Sequence, residues 1–195
     1  MLNCRSYAVK EHVGMFKLTD KYDIFDGDTG AQVGVAVEEI PVWKMLLRLV
    51  VNKQLLPTTV EIRETEDGPP IISIHRGFTF LRSKVEVRDA DGHSLGYFQS
   101  KLMTLGGGFY VYDASGNQFA EVKGNWKGFS FKFLAADGRE IGTVDKKWGG
   151  LMKEMFTSAD SYHIQFAPDV TNNPGIAALL LAAGLAIDIV FKERG

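Results

Sequence analysis

The residue types that carry covalent or metal chemistry are few and scattered in this chain. The four histidines, His12, His75, His93 and His163, lie far apart and share no metal-ligand spacing. Cys4 is the one cysteine, which excludes an internal disulfide and any multi-cysteine metal site and fits a reducing compartment. Neither a Gly-x-Ser-x-Gly elbow nor a phosphate-binding P-loop occurs. The stretch Leu105-Gly106-Gly107-Gly108-Phe109 reads either as a backbone cradle for a phosphate or as a flexible strand connection. An enzyme of ordinary type is not expected. What remains is cationic. From Pro41 to Gln54, PVWKMLLRLVVNKQ opens after Glu38 and Glu39, with Pro41 in its first turn and Lys44 and Arg48 one helical turn apart on an apolar cylinder. With Lys53 and Trp43 it is expected to form an amphipathic helix whose chemistry is attraction to an anionic surface. Its other reading is a helix that covers one end of the fold. The net charge of -2 and pI of about 6.1 give no global field for nucleic acid, so an anionic partner has to be met locally.

The elements that position these residues are mostly strands. A repeated unit runs Phe25-Asp26-Gly27-Asp28-Thr29-Gly30 into Gln32-Val33-Gly34, and Val87 to Gly92 into Ser94-Leu95-Gly96. It recurs as Tyr112 to Gly116 into Gln118-Phe119-Ala120, and as Leu134 to Gly138 into Glu140-Ile141-Gly142. Glycine supplies the positive φ of a hairpin turn and Asp bonds its own backbone, so each copy is a β-hairpin. The turn glycines Gly92, Gly116 and Gly138 follow at 24 and 22 residues, as in a meander. Further strands are expected at Ser6–Lys10, Lys21–Phe25, Thr59–Arg63, Ile71–His75, Phe78–Arg82, Phe129–Phe133 and Tyr162–Phe166.

The last segment is different in kind. Asn173 can cap and Pro174 suits a first helical position, and from Gly175 to Ile187 there is no charge. A helix over 174–191 must therefore be buried on every side. Its length of roughly 25 Å falls short of a bilayer core of about 30 Å, and Asp188 interrupts the apolar run, so protein rather than lipid is expected to bury it. Ala178, Ala182 and Ala186 give it one face for close approach. Many strands and one wholly apolar helix predict a mainly β fold: a single domain over 1–195, a closed antiparallel barrel of about twelve strands around a central C-terminal helix.

The stretch after the last hairpin carries a family signature. Ile141-Gly142 is followed by Lys146-Lys147-Trp148-Gly149-Gly150-Leu151, then Lys153-Glu154, Phe156-Thr157, Ala159-Asp160, Tyr162 and Ile164-Gln165-Phe166. Ile187-Asp188-Ile189 closes the apolar helix. This pattern resembles the phospholipid scramblases, which share the tubby-like barrel with the plant LURP-one-related proteins. Lys146, Trp148, Gly150, Phe156 and Asp160 are the motif residues it identifies. The resemblance implies a phospholipid membrane surface as partner and either lipid movement between leaflets or a tubby-like module that binds anionic lipid or a protein. It also implies a calcium loop, but Ser158 stands at that loop's first acidic position while Asp160 and Asp169 keep later ones. Calcium asks for six to eight oxygens, so no cofactor is expected. The family's cysteine cluster and proline-rich extension have no counterpart in this sequence, and the 41–54 helix is expected to replace a lipid anchor. A cytoplasmic protein, peripheral at the membrane, is the resulting expectation.

Overall fold

The computed structural model describes residues 1–12, 19–41, 56–77, 84–101, 108–125, 128–146 and 161–191, with side chains in the last stretch to residue 187. The expected strand at Phe78–Arg82 and the expected helix at 41–54 lie outside these, apart from Pro41. Twelve strands follow in order: β1 (Ser6–Glu11), β2 (Lys21–Asp26), β3 (Gln32–Glu39), β4 (Thr58–Arg63), β5 (Pro70–Arg76) and β6 (Lys84–Asp89). Then come β7 (Ser94–Ser100), β8 (Gly108–Asp113), β9 (Gln118–Asn125), β10 (Ser130–Ala135), β11 (Glu140–Asp145) and β12 (Ser161–Phe166). Each pairs antiparallel with its neighbours in sequence, and β1 pairs with β12, Ser6 opposite Gln165, to close the ring. Closure leaves no unpaired sheet edge.

Alternation sorts the side chains. On β10 Phe131 and Phe133 point inward and are fully buried while Ser130 and Lys132 point out; β12 buries Tyr162, Ile164 and Phe166. The hairpin repeat acquires a physical reason. In all five tight hairpins the register shifts just before the turn, at Ile24/Phe25, Ile62/Arg63, Val87/Arg88, Val111/Tyr112 and Phe133/Leu134. Such bulges bend a sheet and help it curl into a barrel. In four of the five hairpins the small residue of the repeat faces the bulge: Gly34 pairs with Ile24, Gly96 with Val87, Ala120 with Val111 and Gly142 with Phe133. A Cβ on Gly96, whose φ is +148°, would meet the Tyr112 carbonyl oxygen at 2.2 Å and Leu179 at 2.8 Å.

The helix α1 (Pro174–Phe191) follows β12 through a 3-10 turn at Val170–Asn172. The Asn173 Oδ1 accepts from the amides of Gly175 (3.1 Å) and Ile176 (3.2 Å), capping the first turn as its type suggests. The helix touches β12 and also β5, β6 and β7. In a ring of twelve, β6 lies opposite β12, so a helix that reaches both runs through the interior. From Ala177 to Ile187 all of its non-glycine side chains are at most 2% exposed. Leu179, Leu180, Leu181, Leu185 and Ile187 each contribute about 1.5–3 kcal/mol by that burial. Gly184 lets the wall come close: a Cβ there would stand 2.5 Å from Ile164 Cδ1. Asp188 lies beyond the described side chains.

Candidate functional site

Strict up-and-down order gives the barrel two unlike ends. The tight turns β2–β3, β4–β5, β6–β7, β8–β9 and β10–β11 all fall at one rim, where α1 also begins. The connections β1–β2, β3–β4, β5–β6, β7–β8, β9–β10 and β11–β12 fall at the other.

The tight-turn rim is acidic because its turns are made by aspartates. Asp26 accepts from the amides of Asp28 (2.8 Å) and Thr29 (2.9 Å), and Asp89 from those of Asp91 (3.0 Å) and His93 (2.8 Å). Asp113 accepts from Asn117 N (2.8 Å) and Asp137 from Arg139 N (2.9 Å). The Asn117 donors hold the Asp113 carboxyl below the usual carboxylate range. Asp28, Glu64, Glu66, Asp67, Asp91 and Asp169 add exposed carboxylates. Asp89, Asp91 and His93 form the one grouping among the described residues in which three metal-ligating side chains converge, within 4.8 Å. The Asp89 carboxylate is already engaged by the amides of its own turn, so the group reads as turn chemistry. Beside this rim a surface depression of about 300 Å³ is lined by Arg5, Glu140, Thr143 and Gln165 over Gly142.

The opposite rim carries lysines set on aromatic rings. Lys84 Nζ, at the start of β6, lies 4.1 Å from the centroid of Tyr97. Lys101, just after β7, lies 4.8 Å from that of Tyr110, and Lys146, just after β11, lies 4.8 Å from that of Phe129. Cations are attracted to the electron-rich ring face, and the rings become a platform that holds three ammonium groups, at the β5–β6, β7–β8 and β11–β12 connections. Tyr97 in turn stacks on Tyr112 at 4.6 Å and 10° between planes. Lys101 and Lys123 share one carboxylate, Glu121; the Lys123 contact is 3.3 Å. Burial would raise the Glu121 pKa, but the two ammonium groups outweigh it and hold the carboxyl low. Two cations against one anion leave a positive remainder. Lys84, Lys123 and Lys146 are exposed, whereas the Lys101 side chain is only 8% exposed.

The expected site residues divide accordingly. Lys146 stands on this lysine rim, and its amide donates to the Phe129 carbonyl at 3.2 Å. Asp169 stands at the other rim, where Arg139 Nη1 donates to Oδ2 at 2.8 Å and holds its carboxyl below the ordinary range. Asp160 precedes Ser161, the first residue of β12, while Asp169 follows the strand's far end. Six extended residues span ~20 Å. Trp43, Lys44, Arg48, Lys53, Trp148, Gly150, Phe156 and Asp160 themselves lie outside the described residues. Sequence reading missed Lys84 and Lys101 with their rings, and Lys123; their one signal is position, each near a strand end at the rim opposite the tight turns.

The Scramblase family model matches residues 5–194 of this chain. The chain belongs to the scramblase family. Over 54 residues it is 39% identical to mouse phospholipid scramblase 1, covering 28% of this chain and 16% of that protein. Human phospholipid scramblase 2 is 34% identical over 68 residues, 34% of this chain and 22% of the relative. The yeast altered inheritance rate of mitochondria protein 25 is similar over a longer range, 23% identical over 175 residues, 77% of this chain and 53% of that protein. The matched stretches thus span less than a quarter of the two named scramblases and about half of the yeast protein. No solved structure matches. The mainly β closed barrel with its C-terminal helix is the fold that the resemblance implied.

Proposed function

We propose that this protein associates with phospholipid membranes from their surface and promotes lipid movement between leaflets without making or breaking covalent bonds. The family match over residues 5–194 carries the reading. Two structural observations support it. The one long apolar helix among the described residues fills the barrel, which argues for contact from outside the bilayer. A filled interior also argues against passage of lipid through the barrel, and points to its outer surface or a rim.

The test adds the full chain to vesicles whose two leaflets both carry a fluorescent phospholipid, with a membrane-impermeant quencher outside. Loss of the protected inner pool, at a rate that rises with protein, is the expected result. Vesicle binding with an unchanged protected pool would reduce the function to membrane association. Absence of binding to any phospholipid vesicle would overturn the proposal.

A further inference from the structure

We infer that the barrel has a fixed polarity on the membrane: the rim bearing Lys84, Lys101 and Lys146 on their aromatic rings faces an anionic phospholipid surface, and the aspartate-turn rim faces away. This rests on the membrane reading above and specifies which end makes contact. Three independent features of the fold point the same way.

The first is charge. Among the described residues of the β6–β11 side, Lys84, Lys101, Lys123, Lys132 and Lys146 all fall in or just beyond the strand halves at the rim opposite the tight turns. The opposite rim gathers the turn aspartates together with Glu64, Glu66 and Asp67. An anionic plane attracts the β6–β11 side of the first end, whose β1–β3 side carries Glu11, Glu38 and Glu39, and repels the second, where Arg88 and Arg139 are outnumbered by carboxylates. This separation orients an approaching molecule even though its net charge is slightly negative. The second is residue type. Tyrosine and lysine suit a water–lipid boundary, since a ring or an alkyl stem meets apolar chains while a hydroxyl or ammonium stays at headgroup level. Here the exposed Lys84 and Lys146 ammonium groups are already held over rings, so phosphate oxygens can meet them without the side chains being reorganised, while Lys101 stays committed to Glu121. The third is topology. Pro41 and Leu56, the described residues flanking the 42–55 segment, attach it between β3 and β4 at this same rim. Residues 147–160, which hold most of the family motif, likewise join β11 to β12 there. Both stretches singled out in the sequence are tethered to the lysine end.

An orientation experiment tests this. In a Cys4→Ser background, single cysteines replace Lys84 or Asn125 at the lysine rim and Asp91 or Asp137 at the other. Each carries an environment-sensitive fluorophore. Vesicles of two parts phosphatidylcholine to one part phosphatidylserine are added to the full chain. The fluorophores at 84 and 125 should shift to an apolar environment and those at 91 and 137 should not. Separately, Lys84, Lys123 and Lys146 all changed to Gln should lower affinity for these vesicles about a hundredfold, and raised salt should lower that of the parent. Asp91→Asn with Asp137→Asn should leave it unchanged. Lys101 is left in place, so that the buried pair with Glu121 persists, and an unchanged melting temperature confirms that each variant is folded. Binding with the fluorophores at 91 and 137 reporting lipid would overturn the polarity while sparing the membrane reading. Undiminished binding by the triple variant would overturn the role of the lysines. No binding by the parent to vesicles with or without phosphatidylserine would overturn both readings and leave the rim to an acidic protein surface.

Discussion

The two rims of the barrel are made by opposite means. At one, five short hairpins solve the same geometric problem with similar parts: an aspartate or a hydrogen-bonded turn, a glycine in four of them at positive φ, and a bulge just before it. At the other, connections of unequal length join the same strands, and constancy appears only in the lysine-on-ring pairs at the strand ends. The difference teaches where constraint lies. Turn chemistry dictates the first rim nearly residue by residue, and acidity follows from the choice of aspartate as turn former. At the second rim the backbone leaves latitude, and charge is free to follow a partner.

The largest effect should come from the helix that both rims enclose. Leu180 is fully buried, so Leu180→Asp places an unpaired carboxylate among apolar side chains and should cost more than about 4 kcal/mol, enough to abolish the cooperative melting seen by circular dichroism. A variant that keeps its β spectrum and melts normally would show that the barrel stands without a filled centre. Next come two glycines that separate turn geometry from crowding. Gly96→Ala drives a methyl group into the Tyr112 carbonyl and Leu179 and should cost about 2–4 kcal/mol, whereas Gly116→Ala, at φ +85° with nothing within 4 Å, should cost only ~1 kcal/mol of left-handed strain. Equal losses in chemical denaturation would mean that the strand opposite the bulge is less crowded than its geometry indicates.

A smaller effect is expected from acid. Burial pushes the His163 pKa down, against the raising influence of Asp145 and Asp28. Its folded value then lies below its unfolded one of ~6.5, so between the two the unfolded chain holds more protons. Stability should be full above that unfolded value and decline as pH falls below it, and His163→Gln should flatten the decline. An unaltered slope for the variant would assign the acid sensitivity elsewhere, His75 first, since burial lowers its pKa as well. The smallest effect concerns Asp169. Both partners of its pair with Arg139 are 53% exposed, so Arg139→Gln should cost at most about 1 kcal/mol. Millimolar calcium should leave the melting temperature unchanged in parent and variant alike, because β12 separates Asp169 from the start of the Asp160 side. A saturable rise would show a site using one of them.

How much the sequence disclosed follows the same division. Four hairpins were legible because Asp and Gly are required where φ turns positive, and the fifth, Arg63 to Pro70, escaped because Glu64-Thr65-Glu66-Asp67-Gly68 departs from the repeated spacing. The helix was legible because a segment apolar on all faces has to be enclosed. Its cap at Asn173 followed from residue type alone. The lysine rim was not legible, since Lys84 meets Tyr97 and Lys146 meets Phe129 only through strand register, which no local pattern encodes. Lys146 was found through the family motif instead, without its aromatic partner.

Closure of the ring by β1 and β12 has a consequence for how the protein is made. Ser6 is made long before its partner Gln165, and the segment that fills the interior is made after the last strand of the barrel. A sheet formed before β12 is made would have two unpaired edges and an uncovered apolar face, a form that invites aggregation. Native contacts of such long sequence separation make for slow folding after release, on the milliseconds-to-seconds scale of high contact order. A chain that stalls before residue 174 would lack the helix that fills its centre, so quality control has a clear feature to detect: an unfilled barrel.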